Sequence, residues 1–453
     1  MENKRKYMPG FLIPSIIGIA LFMIPIKFGG NWTILVKILA DKIAGLIGAA
    51  LPILCVLIIT VSAIMSLIGL AKPAFMTNNK LLNDTFVVNI IWVTIRVLAC
   101  IFAWLVYLGI QAGDDDTGFI NMFSGTWQGG FILNDLLTVL VIIFAIAGLL
   151  LPLLLDFGLL EYVGALLTKV MRPLFKIPGR AAVDCFTSWI GDGTLGVMLT
   201  LNQYEGGYYN QREASVVATT FSAVSITFCL VVLETVDMMN YFGPFYLIVC
   251  LIGIVCAIIC PRIPPLSMKK EVYLVEGKAM PDTIPDKYHS AHEYGMDMAL
   301  DRVSEHKGVG QFLTNGLKNA FGMWFGVLPS VMAIGTIALV LANFTPIFDY
   351  LGMPFKPLLE LLQVPEAAEA SKTIIVGFTD MLTPAILAAE LATPMTKFII
   401  AVFSVTQLIY LSEVGGLILG SKLPVNILDL FIIFLERTII SLLIVCPIAH
   451  LLF

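Results

Sequence analysis

Charge is scarce in this chain. Asp, Glu, Lys and Arg make up 13% of its 453 residues, about half the share of an ordinary globular protein. A formal charge of −5 and a pI near 5.5 leave no electrostatic footprint for nucleic acid. Histidine is scarcer still, with four residues. No HExxH, GxSxG or GxxxxGK(S/T) pattern occurs, so zinc hydrolysis, serine-nucleophile hydrolysis and direct ATP-driven transport lack their usual residues. The eight cysteines (Cys55, Cys100, Cys185, Cys229, Cys250, Cys256, Cys260 and Cys446) show no CxxC spacing and sit almost entirely in apolar runs. That excludes a secreted disulfide scaffold and reads as buried packing, even for Cys256 and Cys260, one helical turn apart.

What is present in excess is apolar surface: 58% hydrophobic residues and a mean hydropathy of +0.92. A water-bounded core cannot hide that much, and an all-α polytopic membrane protein follows. With about 20 apolar residues needed per crossing, nine stretches qualify. They are Phe11–Ile26, Ile43–Leu70, Phe86–Ile110, Leu136–Leu155, Arg212–Leu233, Phe242–Cys260, Phe321–Leu341, Lys397–Leu419 and Ile427–Leu452. Lys4, Arg5 and Lys6 precede the first, but no small-residue cleavage site follows it, which argues for a retained helix.

Loop charges alternate. The basic N-terminus and the segments around Lys72/Lys80, Lys169/Arg172/Lys176/Arg180 and Arg262/Lys269/Lys270 fall on one side. Asp114–Asp116, Glu234/Asp237 and Asp349/Glu360/Glu366/Glu369 fall on the other. Positive loops stay cytoplasmic, placing the N-terminus inside and, after nine crossings, the C-terminus outside. One long polar stretch, 261–310, mixes both charge signs with Pro264, Pro265, Pro281 and Pro285 and reads as a cytoplasmic linker. His289 and His292 lie in it at helical spacing but match no zinc pattern, so solvated linker is preferred over metal site.

The chain repeats weakly about this linker. Glu161-Tyr162-Val163-Gly164 matches Asp349-Tyr350-Leu351-Gly352, 188 residues on. Arg172-Pro173-Leu174 matches Lys356-Pro357-Leu358, and Pro178 with Ala181-Ala182 matches Pro365 with Ala367-Ala368. Gly191-Asp192 corresponds to Thr379-Asp380, and Phe221-Ser222 to Phe403-Ser404. The shared order argues against chance. It divides the chain into scaffold helices (1–130), a first repeat (131–260), the linker (261–310) and a second repeat (311–453). Three full crossings per repeat invert the second copy in the membrane, which places solute and coupling-ion sites near the midplane.

Two segments carry the functional argument. Ala181 to Tyr204 is long enough to cross, but Gly191-Asp192-Gly193-Thr194 interrupts it. Ala367 to Leu391 is interrupted by Phe378-Thr379-Asp380-Met381-Leu382-Thr383-Pro384. Irregular backbone at membrane depth survives only when buried in protein or lining a wet cavity. Both segments therefore read as re-entrant helical hairpins, the first entering from the cytoplasm and the second from outside, with kinked spanning helices as the alternative. The exposed N–H groups of half-helix N-termini suit anionic or hydroxyl-bearing ligands, and carboxylates suit sodium or a proton. The candidate solute site comprises Gly191, Asp192, Gly193, Thr194, Ser222 and Ser225 from the first repeat. The second repeat supplies Thr379, Asp380, Thr383, Ser404 and Gln407. Asp192, Asp380 and the intraspan Glu413 are the candidates for coupling Na+ or H+, Glu413 having local pairing near a helix end as its alternative. No other cofactor is expected. Glu436 and Arg437 are expected to pair with neighbouring helices, Arg96 being one available partner; Glu390 reads as interfacial.

In its hairpin-plus-helix pattern, clearest from Pro178-Gly179-Arg180-Ala181-Ala182 through Ser225 and from Gly377 through Gly420, the chain resembles bacterial membrane proteins with a nucleoside-recognition Gate domain, the YjiH-type group. Gate domains are similar to the core repeats of concentrative nucleoside transporters and of the ferrous-iron permease. The resemblance implies a bacterial inner-membrane location, a re-entrant hairpin followed by an unwound helix in each half, and elevator-like movement. The expected function is ion-coupled secondary transport of a small polar solute such as a nucleoside, amino acid or short peptide, with a homo-oligomer or another Gate-domain protein as partner. A non-transporting membrane subunit is the alternative. An intramembrane aspartyl enzyme using Asp192 and Asp380 is disfavoured, because Trp189 stands where the first glycine of a GxGD motif belongs.

Overall fold

The protein is described here from a computed structural model covering residues 6–24, 26–28, 31–109, 119–190, 193–221, 226–275, 284–285, 288–306, 308–389 and 391–453. The regular structure is nearly all helical. An antiparallel ribbon pairs Ile26–Phe28 with Asn31–Thr33, so the first expected crossing is shorter than the sequence suggests: its helix, Met8–Phe22, stops before the ribbon. Pro25 explains the stop, because a residue before proline is pushed out of helical geometry.

Among the described residues, six helices are long and apolar enough to cross a membrane. They are Leu35–Gly69, Ile90–Tyr107, Ile120–Leu155, Met239–Arg262, Val309–Leu341 and Ile427–Leu452. The nine continuous stretches expected from hydropathy therefore resolve into these six, the 15-residue Met8–Phe22, and two interrupted helices. Arg212–Leu233 divides into Gln211–Thr220 and Ile226–Thr235, and Lys397–Leu419 into Pro394–Thr406 and Val414–Gly420.

Polar residues set the ends of several helices. Asn210 and Glu213 form a reciprocal capping box at the start of Gln211–Thr220, and Asn426 and Asp429 form another at the start of Ile427–Leu452. The Asn89 side chain caps Ile90–Tyr107. Of the most apolar stretch in each helix, 67% is buried in Val309–Leu341 but 28% in Ile90–Tyr107. The former is a central helix. The latter turns Ile90, Ile91 and Ile101 outward, as a helix bathed in hydrocarbon would.

The polar stretch after Arg262 is not simply a solvated linker. Ser290 caps the helix Ala291–Glu305, which buries Tyr294, Gly295, Ala299 and Leu300 against Leu159–Phe175 and the N-terminal helix. His292 Nδ1 lies 2.9 Å from the Tyr162 hydroxyl, and Arg302 pairs with Asp156 at 3.3 Å. The two ends of the described chain pack against different elements. Phe11 packs on Tyr162 beside the linker helix, whereas Phe453 packs on Tyr241 and His450 bonds the Leu362 carbonyl. Asp114, Asp115 and Asp116 lie outside the described residues.

Candidate functional site

A straight helix from Ala181 to Glu205 would run roughly 36 Å at 1.5 Å per residue. Here its two ends are tied together. Tyr209 donates a hydrogen bond to Asp184 at 2.8 Å, and the Arg180 guanidinium sits 3.9 Å from the centre of the Tyr208 ring. The chain has doubled back, as Ala181–Ile190 and Gly193–Glu205 packed side by side. Gly196 makes the close approach feasible, since a Cβ there would lie 2.5 Å from Ser188 Cβ. The segment from Glu366 to Ala392 reverses in the same way. Glu366 accepts from the backbone N–H of Ala392 at 3.1 Å and of Thr393 at 3.0 Å, and Thr396 donates to the Pro365 carbonyl at 2.8 Å. A straight helix would separate these ends by roughly 39 Å. Its arms are Ala367–Val376 and Thr383–Ala389.

Each hairpin is followed by an interrupted helix. The first arms start at Ala181 and Ala367, and the helices that follow break after Thr220 and Thr406, the same spacing of 186 residues in both cases. By that register Phe221 corresponds to Gln407, one turn beyond the Phe221–Phe403 match read from sequence.

The second break is satisfied almost entirely by side chains and by the neighbouring hairpin. The Tyr410 hydroxyl donates to the carbonyls of Ser404 (2.7 Å) and Val405 (2.9 Å) and accepts from the N–H of Leu408, whose φ is +66°. The N–H groups of Leu411 and Ser412 donate to the carbonyls of Phe378 and Thr379 in the hairpin tip, at 2.8 and 2.9 Å. Asp380 accepts from the N–H groups of Leu382 and Thr383, from the Thr383 hydroxyl and from the Ser412 hydroxyl. Gln407 donates to the Ile374 carbonyl and to Thr438. Arg437 completes the set: its Nε donates to the carbonyls of Thr406 (3.0 Å) and Gln407 (3.2 Å), and its Nη1 reaches the carbonyl of Thr220 at 3.3 Å. One guanidinium thus serves the broken ends of both interrupted helices. Backbone groups without a helical partner must find another when buried, and these have.

Both hairpin tips and both interrupted helices meet at a cavity of about 160 Å³. Gly193 and Thr194 reach it from the first hairpin and Met381 from the second. Phe228 comes from the far side of the first break, and Leu408, Tyr410 and Glu413 from the second. Asp135, in the π-helical turn Ile132–Leu137, also lines it. Among the described residues, the lining holds two carboxylates, Asp135 and Glu413, and no Lys or Arg. Such a surface attracts a cation or the positive end of a solute.

Of the residues singled out from sequence, Gly193, Thr194 and Glu413 line this cavity. Thr379, Asp380, Thr383, Ser404 and Gln407 do not. Their polar atoms serve the scaffold behind it: Thr379 and Ser404 donate to carbonyls of their own helices, and Asp380 and Gln407 hold the tip and the break as described. Gly191, Asp192, Ser222, Ser225 and Glu390 lie outside the described residues. Arg96 does not partner Glu436; it donates to Ser66 and to the Thr85 carbonyl, and Arg437 binds carbonyls rather than a carboxylate. Sequence reading missed Asp135; Arg437, expected to pair with neighbouring helices, does so through their carbonyls, and it and Tyr410 hold the second break. The available signal for Asp135 was an acid inside an apolar helix, Ile120–Leu155. No group of three or more His, Cys, Asp or Glu suited to a metal occurs among the described residues.

Residues 136–239, which span the first hairpin and the first break, match the family model described as Gate, nucleoside recognition. A curated protein of Alkalihalophilus pseudofirmus, named only as uncharacterized, is 44% identical over the whole of this chain and 95% of its own length. A solved structure of CNTnw, a doubly substituted variant in an outward-facing state, aligns over 99% of both chains at 13% identity with a TM-score of 0.39, a match too loose to argue from. The identity to the Alkalihalophilus protein and the Gate match together place this multi-pass chain in the family of nucleoside-recognition Gate-domain membrane proteins.

Proposed function

We propose that this protein is a secondary transporter whose solute and coupling cation meet at the cavity between the two hairpin tips. One observation carries the reading: two chain reversals and two helix breaks, from halves of the chain with the same element order, converge on one pocket containing two carboxylates. Discontinuous helices at a repeat interface are the architecture by which transporters expose backbone groups to a substrate without exposing them to lipid. In this reading the hairpins re-enter the bilayer, the repeats are inverted, and Asp135 with Glu413 binds Na+ or H+. The Gate match makes a nucleoside the first solute to test, with amino acids and short peptides after it. The packing of the N-terminus beside the linker and of the C-terminus beside Leu362 supports termini on opposite sides, the N-terminus cytoplasmic.

The test is uptake by purified protein in liposomes, with nucleosides, amino acids and dipeptides offered under Na+ or proton gradients. We expect gradient-driven uptake of one class. Glu413→Gln should lower it by roughly 10- to 100-fold, the worth of one charge-assisted contact of about 1.5–3 kcal/mol, with little change in the melting temperature. A well-folded Glu413→Gln protein with normal, still ion-driven uptake removes this carboxylate from coupling. Absence of uptake for every class and gradient favours the non-transporting subunit.

A further inference from the structure

A second cavity lies elsewhere and has the opposite charge. It encloses about 640 Å³, within the range of small-molecule sites. Elements of both repeats and of the N-terminal scaffold build it. Lys80 and Asp84 come from the segment after the second helix, Glu205 from the end of the first hairpin, Lys318 from the start of Val309–Leu341, and Lys422 from the turn before the last helix. These five are exposed around the opening. Lys422 pairs with Glu205 at 3.0 Å and Asp84 at 3.9 Å, so one lysine answers both carboxylates. With Lys80 and Lys318 the rim carries three lysines against two acids, one positive charge in excess.

The wall of this vestibule also holds Arg96, which is 5% exposed. Its Nη1 is occupied by the Ser66 hydroxyl at 2.6 Å and the Thr85 carbonyl at 2.8 Å. Its Nε is buried with no hydrogen-bond partner. A buried guanidinium with an unsatisfied donor is costly unless something completes it. The Nε–Nη2 edge is the one that meets a carboxylate or phosphate with two parallel bonds. The excess positive charge at the rim and an incompletely bonded arginine in the wall form a graded anion site, with point charges outside and a fork inside.

We propose that this vestibule binds a phosphate group. It goes beyond the transport reading and does not depend on it, because the cavity shares no residue with the carboxylate pocket. The phosphate can belong to a soluble anion or to the headgroup of an anionic lipid.

The experiment uses the full chain in nanodiscs of phosphatidylcholine, with the unfolding midpoint followed against inorganic phosphate at constant ionic strength. A ligand of the folded state raises the midpoint by mass action. We expect a saturable rise, with the phosphate requirement about tenfold higher in a Lys80→Gln/Lys318→Gln variant, whose exposed positions leave the fold intact, and higher again in Arg96→Lys. Repeating the titration in discs containing phosphatidylglycerol identifies the source: loss of the phosphate response there assigns the site to a lipid headgroup, and its persistence assigns it to a soluble anion. No saturable rise in phosphatidylcholine discs overturns the proposal, as does an unchanged response in the double lysine variant.

Discussion

The two hairpins share a plan, and different groups tie each to its surroundings. In the first, buried polar groups gather at the base, and Thr187, Ser188 and Thr194 are buried nearer the tip. Arg180 is 1% exposed and lies 3.4 Å from Glu161 and against the Tyr208 ring, with the fully buried Asp184 bonded to Tyr209 close by. In the second, they cluster at the tip, where Asp380 and Ser412 join the turn to the interrupted helix and backbone bonds run between them. Its base is closed by Glu366 accepting two backbone N–H groups. The same topological element is thus fixed to the surrounding protein in one repeat and to its own successor helix in the other. A hairpin secured at its base is anchored to the elements around that base. One secured at its tip travels with the helix that follows.

That contrast can be broken most severely at Arg180. Arg180→Met leaves the Glu161 carboxylate buried without its partner, and we expect about 3–5 kcal/mol of lost stability, measured by unfolding of the purified protein in detergent. A loss below about 1 kcal/mol would mean that the base is hydrated and does not hold the hairpin. Asp380→Ala removes the cap of the arm Thr383–Ala389 and the link to Ser412, with an expected cost of about 1–2 kcal/mol. Asp380→Asn, which keeps an acceptor in place, should cost less. If the alanine variant also releases the tip, amide exchange at Leu411 and Ser412 should speed up while that at Tyr209 stays unchanged. Equal acceleration at both sites would erase the distinction between the repeats.

The smallest effect is expected at Glu366. The N–H of Ala392, and then that of Thr393, hold its carboxylate below the usual range. A depressed carboxylate contributes stability above its unfolded pKa and loses it as the pH falls through the folded value. Glu366→Gln should therefore melt slightly below the parent at neutral pH and converge with it in acid. A difference that grows in acid would contradict the assignment.

The hairpins were legible in the sequence because each interrupts an apolar run with residues that resist a helix, Gly191 through Thr194 and Phe378 through Pro384. The second helix break was not legible from local pattern. Gln407-Leu408-Ile409-Tyr410-Leu411-Ser412 contains neither glycine nor proline, and its neighbours are apolar enough to read as one crossing. What opens the helix there is tertiary: Tyr410 folding back on two carbonyls, Arg437 arriving from the last helix, and the hairpin tip supplying acceptors. The same competition explains the polar candidates. Ser404 and Gln407 carry the right chemistry for a solute, but the backbone nearest them claims it first. Asp135 was passed over because it sits just before the stretch read as a crossing, whereas the folded helix begins well upstream of it.

Arg437 has a consequence for motion. Its planar head, 2% exposed, is shared among carbonyls from the two halves of the chain. Pulling those halves apart would strand a cation and several peptide oxygens at once. If the hairpins move, the ends at Thr220 and Thr406 are therefore expected to move together.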